Sequence, residues 1–147
     1  MDLALAQARE AAARGEVPVG AVLVGPDGQV LAADGNRTQA SNDATAHAEM
    51  LVLRAGGEKL AGTRLRLTDC DLYVTLEPCP MCAAAIALAR IRRLYYGASD
   101  PKGGGVEHGP RIFTHATCNH RPEIYPGIGD HEAGQMLKEF FAARRQP

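Results

Sequence analysis

Residues 71–90 read Asp-Leu-Tyr-Val-Thr-Leu-Glu-Pro-Cys-Pro-Met-Cys-Ala-Ala-Ala-Ile-Ala-Leu-Ala-Arg, and the order of the neighbouring elements follows from this segment. Its first six residues are mostly β-branched, aromatic or aliphatic, which predicts a buried strand over 71–76. The run over 81–90 is rich in alanine and leucine and predicts a helix, with the preceding proline tolerated in the first turn. A strand therefore leads directly into a helix whose N-terminal end carries Cys79 and Cys82, three residues apart.

An imidazole and a carboxylate lie upstream of this segment, in the sequence Thr45-Ala46-His47-Ala48-Glu49. His47 lies near the start of another helical run, for which Gly56-Gly57 is a stop signal. Two helix N-termini can thus converge on one metal ion, and their unpaired N–H groups favour thiolates. Zinc prefers four tetrahedral nitrogen or sulfur ligands, and a catalytic zinc keeps one position for water. Together with Cys79 and Cys82, His47 makes three ligands, which predicts one Zn²⁺ with an open position.

The combined pattern H-x-E…P-C-x-x-C resembles the signature of zinc-dependent nucleobase deaminases, for which the tRNA adenosine deaminases are a standard example. Glu49 lies two residues after His47, too far round a helix to be an obvious fourth ligand. Zinc lowers the pKa of its bound water to about 7, which makes hydroxide available at neutral pH. We expect Glu49 to carry protons from this water to the ring nitrogen and the leaving ammonia during attack on an amidine-type carbon.

Other uses of these residues stay open at this point. A Cys-x-x-Cys pair can be a redox dithiol, although that motif belongs near a thioredoxin-like pattern and none is evident here. A structural zinc site needs a fourth protein ligand, which Cys70, Cys118 or another histidine could supply. A zinc-stabilised binding module without catalysis is a further alternative, and it would leave Glu49 without a role.

The composition is typical of a soluble globular protein. The 147 residues, 46% hydrophobic and 22% charged, fit a single domain over 1–147. No apolar run approaches the ~20 residues of a membrane span, and the N-terminus has no secretory signal, so we expect a cytoplasmic enzyme without a membrane partner. Sixteen Lys and Arg against seventeen Asp and Glu give no support to RNA binding, so any RNA would be held by a local basic patch.

The periodicity of the remaining chain predicts an α/β fold. Strands are expected at 17–24, 29–33, 71–76, 93–96 and 123–125, and further helices at 3–14 and 130–145. Gly97 is expected to stop the fourth strand. Alternating strands and helices indicate helices packed on a central sheet, with ligands at strand-to-helix junctions such as those of both metal motifs. The triplet Gly103–Gly105 lacks the Gly-Lys-Ser/Thr ending of a P-loop, so a mobile active-site loop is the favoured interpretation.

Nearly end to end, the chain is similar to the bacterial tRNA-specific adenosine deaminases of the cytidine-deaminase-like superfamily. The similarity runs through 16–24, 35–37, 45–49, 72–82, 100–102, 119–121 and 140–145. The zinc motifs are shared across the superfamily, whereas the flanking segments resemble the tRNA enzymes in particular. The resemblance implies a three-layer α/β/α sandwich with a central mixed five-stranded sheet and a homodimer with one Zn²⁺ per subunit. It also implies hydrolysis of the wobble adenosine to inosine in the ACG anticodon of a tRNA.

The resemblance also assigns roles to individual positions. His47, Cys79 and Cys82 would bind zinc, Glu49 would act as acid and base, and the amide of Asn36 would hydrogen-bond the flipped base. The remaining expected contacts with the substrate or the anticodon stem-loop are Ala48, Asp100, Lys102, His120, Phe141, Arg144 and Arg145. For the last three the alternative is a core-packed helix face with a solvated basic end.

Some features depart from the family pattern or leave a rival enzyme open. Thr38 stands where proline is common after Asn-Arg, which predicts a looser loop. His108 is expected to be an ordinary loop or surface residue. Small cytidine deaminases usually present cysteine as the first ligand, and riboflavin-pathway deaminases have a longer gap between the two cysteines. Guanine deaminases share both motifs and are the serious enzymatic alternative.

Overall fold

A computed structural model describes residues 1–60 and 66–145. In this part of the chain a mixed five-stranded sheet carries helices on both faces, as the sequence predicts. The helices are α1 (Asp2–Ala13), α2 (Ala48–Lys59), α3 (Pro80–Ala89) and α4 (Asp130–Arg144). The strands are β1 (Gly20–Val24), β2 (Val30–Gly35), β3 (Asp71–Leu76), β4 (Arg93–Ala98) and β5 (Glu123–Tyr125). Among the described residues, no helix is both long and apolar enough to cross a membrane.

The sheet order is β2-β1-β3-β4-β5. β1 is antiparallel to β2 and β3, whereas β3, β4 and β5 are mutually parallel. The register pairs Gly20 with Gly35 and Ala21 with Val74. β1 therefore begins where β2, β3 and β4 end, and we call this the site end of the sheet. Both α2 and α3 begin there, because each follows a chain segment that leaves the sheet at that end.

The main core lies between the sheet and the α2–α3 layer. Leu23, Leu72 and Leu94 are fully buried there together with Val52 of α2 and Ile86 of α3. Alternate positions point to the opposite face, where α1 and α4 contact each other and the strands. Burial of branched and aliphatic side chains on this scale is the main stabilising contribution to such a fold.

Four predicted element ends were wrong by two or more residues, and each has a physical reason. β2 ends at Gly35 rather than residue 33, because Asp34 and Gly35 continue the ladder opposite Ala21 and Gly20. β1 begins at Gly20 rather than residue 17, because Pro18 has no N–H to donate to a ladder. α2 continues through Gly56-Gly57 to Lys59, because Gly56 allows the helix to approach Leu23 closely. β4 likewise continues through Gly97, where a Cβ would lie 2.5 Å from the Thr75 carbonyl oxygen. In the last two cases glycine serves close packing instead of ending an element.

Candidate active site

Three potential metal ligands meet at the starts of two helices. His47 immediately precedes α2, Cys79 immediately precedes α3, and Cys82 lies in the first turn of α3. The His47 Nδ1 atom lies 3.6 Å from the Cys79 Sγ and 3.5 Å from the Cys82 Sγ. All three ligand atoms lie within 4.8 Å of one another. The strand-to-helix junction after β3 and the start of α2 therefore bring together the predicted ligand set.

This geometry fits zinc. With Zn–N near 2.0–2.1 Å and Zn–S near 2.3 Å, a tetrahedral zinc would set nitrogen and sulfur ligands about 3.6 Å apart. The two observed distances between His47 and the cysteine sulfurs match that separation. Among the described residues, no further His, Cys, Asp or Glu joins this cluster. Three protein ligands are characteristic of a catalytic rather than a closed structural zinc site.

The two thiols differ in acidity. Hydrogen bonds from Cys82 and then from His47 favour the thiolate of Cys79 and lower its pKa to about 4, although burial acts in the opposite direction. The hydrogen bond with Cys79 and burial raise the pKa of Cys82. The hydrogen bond with Cys79 also raises the pKa of His47. Because metal binding requires deprotonated ligands, zinc binding here would release protons and weaken as the pH falls.

Glu49 lies beside this ligand set in the first turn of α2. Glu49 is only 3% exposed. Burial raises the pKa of its carboxyl group, and the charge of His47 offsets only part of that effect. A carboxyl group whose pKa is raised above its ordinary value, next to a metal site, is suited to accept and donate protons. That is the property required of the acid and base in a hydrolytic reaction.

Asn36 and Ala48 are joined by a hydrogen bond at the site end. The Asn36 Oδ1 accepts from the Ala48 N–H at 2.8 Å, which identifies the oxygen end of the amide. The Arg14 guanidinium in turn donates to the backbone carbonyl oxygen of Asn36 at 3.0 Å. Since the Oδ1 already has a donor, the NH₂ end of Asn36 is the part best able to bind an acceptor on a substrate base.

Asp100 and Lys102 lie in the loop after β4, also at the site end. The Asp100 Oδ1 accepts from the N–H groups of Lys102 at 3.2 Å and Gly103 at 3.0 Å. Lys102 is exposed, whereas Gly104 and Gly105 are buried. The carboxylate of Asp100 thus shapes the turn that presents the exposed lysine.

His120 does not join the metal ligands of its own chain. Its Nε2 donates to the carbonyl oxygen of Ile91, which follows the C-terminal end of α3, at 2.6 Å. Since α3 has ten residues, that end lies about 10 Å from Cys82 and about 15 Å from Cys79 along the helix axis.

In contrast to His120, the C-terminal end of α4 lies near the site end of the sheet. The Arg144 guanidinium lies 4.1 Å from the Phe140 ring centroid and donates to the Gly15 carbonyl oxygen at 2.7 Å. Gly15 directly follows Arg14, the residue that contacts Asn36. Phe141 is 43% exposed, and the Arg145 side chain donates to the Phe141 carbonyl oxygen at 3.2 Å. An exposed aromatic ring and two arginines therefore lie on the same side of the molecule as Asn36.

Two buried carboxylates at the site end were not predicted from the sequence. Glu16 accepts from the Thr38 hydroxyl at 3.1 Å and from the N–H groups of Gln39 at 3.0 Å and Ala40 at 2.8 Å. Thr38, which was expected to loosen this loop, thus contributes a hydroxyl group to its anchoring. Glu77 holds the loop after β4 in a similar way, and one of its partners is His108, which was expected to be an ordinary loop or surface residue. The available signal was an acidic residue directly beside a buried apolar or metal-binding motif.

The geometry can be compared with known proteins. Residues 1–98 match the sequence profile of the family described as the cytidine and deoxycytidylate deaminase zinc-binding region. The chain is 57% identical over 145 residues to a tRNA-specific adenosine deaminase of Agrobacterium fabrum, covering 99% of this chain and 93% of that protein.

Two solved structures are informative. One, from a study of A-to-I editing by tRNA:A34 deaminases at the wobble position of transfer RNA, has a TM-score of 0.89 and 58% identity and covers 93% of this chain and 97% of its own. A guanine deaminase from Bacillus subtilis has a TM-score of 0.63 and 29% identity, with coverage of 99% and 92%. The similarity to the first structure is thus greater than that to the guanine deaminase in both sequence and shape.

Proposed function

This chain belongs to the family of tRNA-specific adenosine deaminases, and we propose that it hydrolyses the wobble adenosine of a tRNA with an ACG anticodon to inosine. In this reaction water adds to the ring carbon that carries the amino group, and ammonia leaves. The observation that carries the proposal is the His47, Cys79 and Cys82 cluster with the buried carboxyl group of Glu49 beside it. We further propose that residues 1–147 form one zinc-dependent deaminase domain.

The side chains support a simple division of labour. His47, Cys79 and Cys82 would hold one Zn²⁺, which when bound acts as a Lewis acid and makes water nucleophilic at neutral pH. Glu49 would take a proton from the attacking water and deliver protons to the ring nitrogen and then to the leaving amino group. The NH₂ group of Asn36 would donate to an acceptor atom of the base and fix its orientation. A role in binding alone would leave the buried carboxyl group of Glu49 without a function.

The substitution Glu49→Gln tests this mechanism. The variant keeps the shape of the side chain but can no longer accept a proton, so we expect inosine formation to fall by about 10²–10⁴-fold. Zinc content, measured on the purified protein, should remain one ion per chain, and the unfolding temperature should not decrease. The substrate is an ACG anticodon stem-loop, with conversion measured by sequencing.

A parallel assay of ammonia release from free guanine separates this function from that of a guanine deaminase. Inosine from the stem-loop without ammonia from guanine is the expected result for the wild-type protein. Substantial inosine formation by the zinc-loaded Glu49→Gln variant would contradict the proposed role of Glu49. Ammonia from guanine alone would keep the zinc chemistry and overturn the substrate.

For the RNA, we propose that the anticodon stem-loop lies across the site end of the sheet. The exposed Lys102, presented by the turn at Asp100, and the Arg144 end of α4 supply positive charge there. Phe141 offers an exposed ring for stacking on an unpaired base. These groups form the local basic patch that a chain with a formal net charge of −1 requires. Because the proposed substrate is a tRNA, we also propose that the reaction takes place in the cytoplasm.

We also propose a homodimer that uses the outer face of α3. Leu88 is 78% exposed, although a leucine side chain gains about 1.5–3 kcal/mol from full burial. It lies between two cavities of about 400 and 900 Å³, lined in part by the small side chains of Ala84, Ala85 and Ala87. Small side chains allow close approach of a second helix, so a second copy of the chain is the proposed occupant of this face. In such a dimer His120, which lies near the C-terminal end of α3, would be close to the interface.

A further inference from the structure

We infer that Glu77 is a positioning residue that fixes the loop 100–108 to the start of the metal-binding helix and so places Lys102 for RNA binding. Only the part of the inference that concerns RNA binding rests on the proposed function. Glu77 is 2% exposed, and it follows β3 at the junction that leads to Cys79. It is therefore the link between two parts of the site that are distant in sequence.

The carboxylate of Glu77 accepts five hydrogen bonds from this one loop. Its Oε1 accepts from the Asp100 N–H at 3.0 Å and from the His108 Nδ1 at 2.7 Å. Its Oε2 accepts from the N–H groups of Val106 at 3.1 Å, Glu107 at 3.0 Å and His108 at 3.1 Å. An ionised carboxylate is the side chain suited to this task, because both of its oxygens only accept and each can take more than one donor.

The loop is also pressed against the start of α3. The Gly105 N–H donates to the Pro78 carbonyl oxygen at 2.8 Å. A Cβ at Gly105 would lie 2.6 Å from the Pro80 nitrogen, and a Cβ at Gly104 would lie 2.4 Å from the Glu77 Oε2. The glycine triplet thus provides the close approach that this anchoring requires, and the loop and the metal-binding helix are held as one unit.

The anchoring extends to the RNA-binding side chain. Glu77 fixes the backbone of Asp100, and the Asp100 carboxylate accepts from the N–H groups of Lys102 and Gly103. The position of the Lys102 ammonium group therefore depends on a buried carboxylate that does not itself reach the RNA.

The test is Glu77→Gln in the zinc-loaded protein. An amide carries an NH₂ donor in place of one carboxylate oxygen. This NH₂ group would face N–H donors of the loop and leave some of them without an acceptor. Two measurements are made: hydrogen exchange of the backbone amides of residues 100–108 without RNA, and the salt dependence of KM and kcat for the ACG stem-loop. We expect faster exchange and a higher KM, with zinc content retained and kcat less affected.

The salt dependence distinguishes positioning from charge. Loss of one lysine–phosphate contact lowers the slope of log affinity against log salt concentration by about 0.7–1. We expect this reduction for Lys102→Ala, for Glu77→Gln and for the double variant, without addition of the two effects. A purely electrostatic role of Glu77 predicts the opposite sign for affinity, because removal of a negative charge favours RNA binding. A purely structural role lowers the unfolding temperature without changing the slope.

A matched control is Glu16→Gln. It removes the charge of the other buried carboxylate and weakens the anchoring of the loop at residues 38–40. In that background Lys102→Ala should keep its full effect on the slope. Should Glu77→Gln not fold, Gly104→Ala displaces the same loop with the carboxylate intact, and Gly134→Ala in open space is its control.

Unchanged amide exchange in the Glu77→Gln variant would overturn the anchoring itself. If the reductions in the salt slope for Lys102→Ala and Glu77→Gln added up in the double variant, Glu77 would not act by positioning Lys102. A wild-type protein inactive on the stem-loop would instead remove the proposed substrate, and with it the role in RNA binding, while the exchange result would still report on the anchoring.

Discussion

Gly56 should be intolerant of a methyl group because it lies where α2 packs against β1. A Cβ built at this position would lie 2.1 Å from the Leu23 Cδ2, 3.6 Å from the Leu23 Cγ and 3.7 Å from the Leu67 Cδ1. Carbon atoms prefer separations of about 3.5–4.0 Å, so Gly56→Ala requires Leu23 or the helix to shift by roughly 1.5 Å. Leu23 is fully buried, and interiors packed at crystal density accommodate such shifts poorly.

The expected magnitude follows from two opposing contributions. Insertion of a methyl group into a packed core costs about 1–3 kcal/mol. Replacement of glycine by alanine inside a helix stabilises it by about 1 kcal/mol. Gly56→Ala should therefore lower the free energy of unfolding by about 1 kcal/mol, equivalent to a Tm about 2–4 °C lower in a chain of this size. Gly134→Ala in α4 meets no atom of the described residues within 4 Å and should raise the Tm by a similar amount.

The assay compares the two variants with the wild-type protein by calorimetry at the same saturating zinc concentration, since ligand binding itself raises the Tm. Inosine formation is measured on the same samples. Because His47 immediately precedes α2 and Glu49 lies in its first turn, displacement of the helix in Gly56→Ala should also reduce kcat, whereas Gly134→Ala should not. If Gly56→Ala were as stable and active as Gly134→Ala, the close approach of α2 and β1 would not restrict this position, and the explanation of the continuous helix would be refuted.

Three further predictions concern the assembly, the pH dependence and the metal. Leu88→Glu should shift a dimer towards monomer in sedimentation experiments, while Leu3→Glu, at a 43% exposed leucine of α1, should leave it unchanged; a wild-type monomer would contradict the proposed interface. Burial alone would raise the pKa of Glu16, but its hydrogen bonds from Ala40, Gln39 and Thr38 lower it overall from the ordinary 4.5. Its stabilising contribution is thus present above about pH 4.5 and lost as the pH falls through the folded-state pKa, so Glu16→Gln should be less stable at neutral pH but lose less stability on acidification. Cys82→Ser should reduce zinc content and activity together, and full activity after chelation of zinc would argue against metal-dependent chemistry.

Much of the fold followed from local patterns. β3, β5 and the helix after Cys79 could be predicted almost to the residue, because periodicity, proline positions and alanine content all act over short distances. The zinc ligands could be predicted for a similar reason, since few other chemistries combine an imidazole with a Cys-x-x-Cys pair next to two helix starts. The comparisons confirm the assignment of the chain to a zinc-binding deaminase family.

The glycines show where this local reasoning fails. Gly56 and Gly97 were expected to end a helix and a strand, because a single sequence reveals only glycine's low propensity. Both lie within their elements, since Leu23 in one case and the Thr75 carbonyl oxygen in the other leave no space for a side chain. The triplet at Gly103–Gly105 has a similar explanation in its contacts with Glu77 and Pro80.

The sequence by itself therefore determined the order of strands and helices and pointed to the proposed zinc ligands and the proposed acid–base carboxyl group, because each depends on residue type and short spacing. Only the tertiary structure decided which end of the sheet gathers them and which carboxylates hold the loops there. Glu16 and Glu77 acquire their roles from N–H groups more than twenty residues away along the chain. Such contacts depend on how distant segments approach each other in the folded chain, and residue type and local spacing carry no record of that approach.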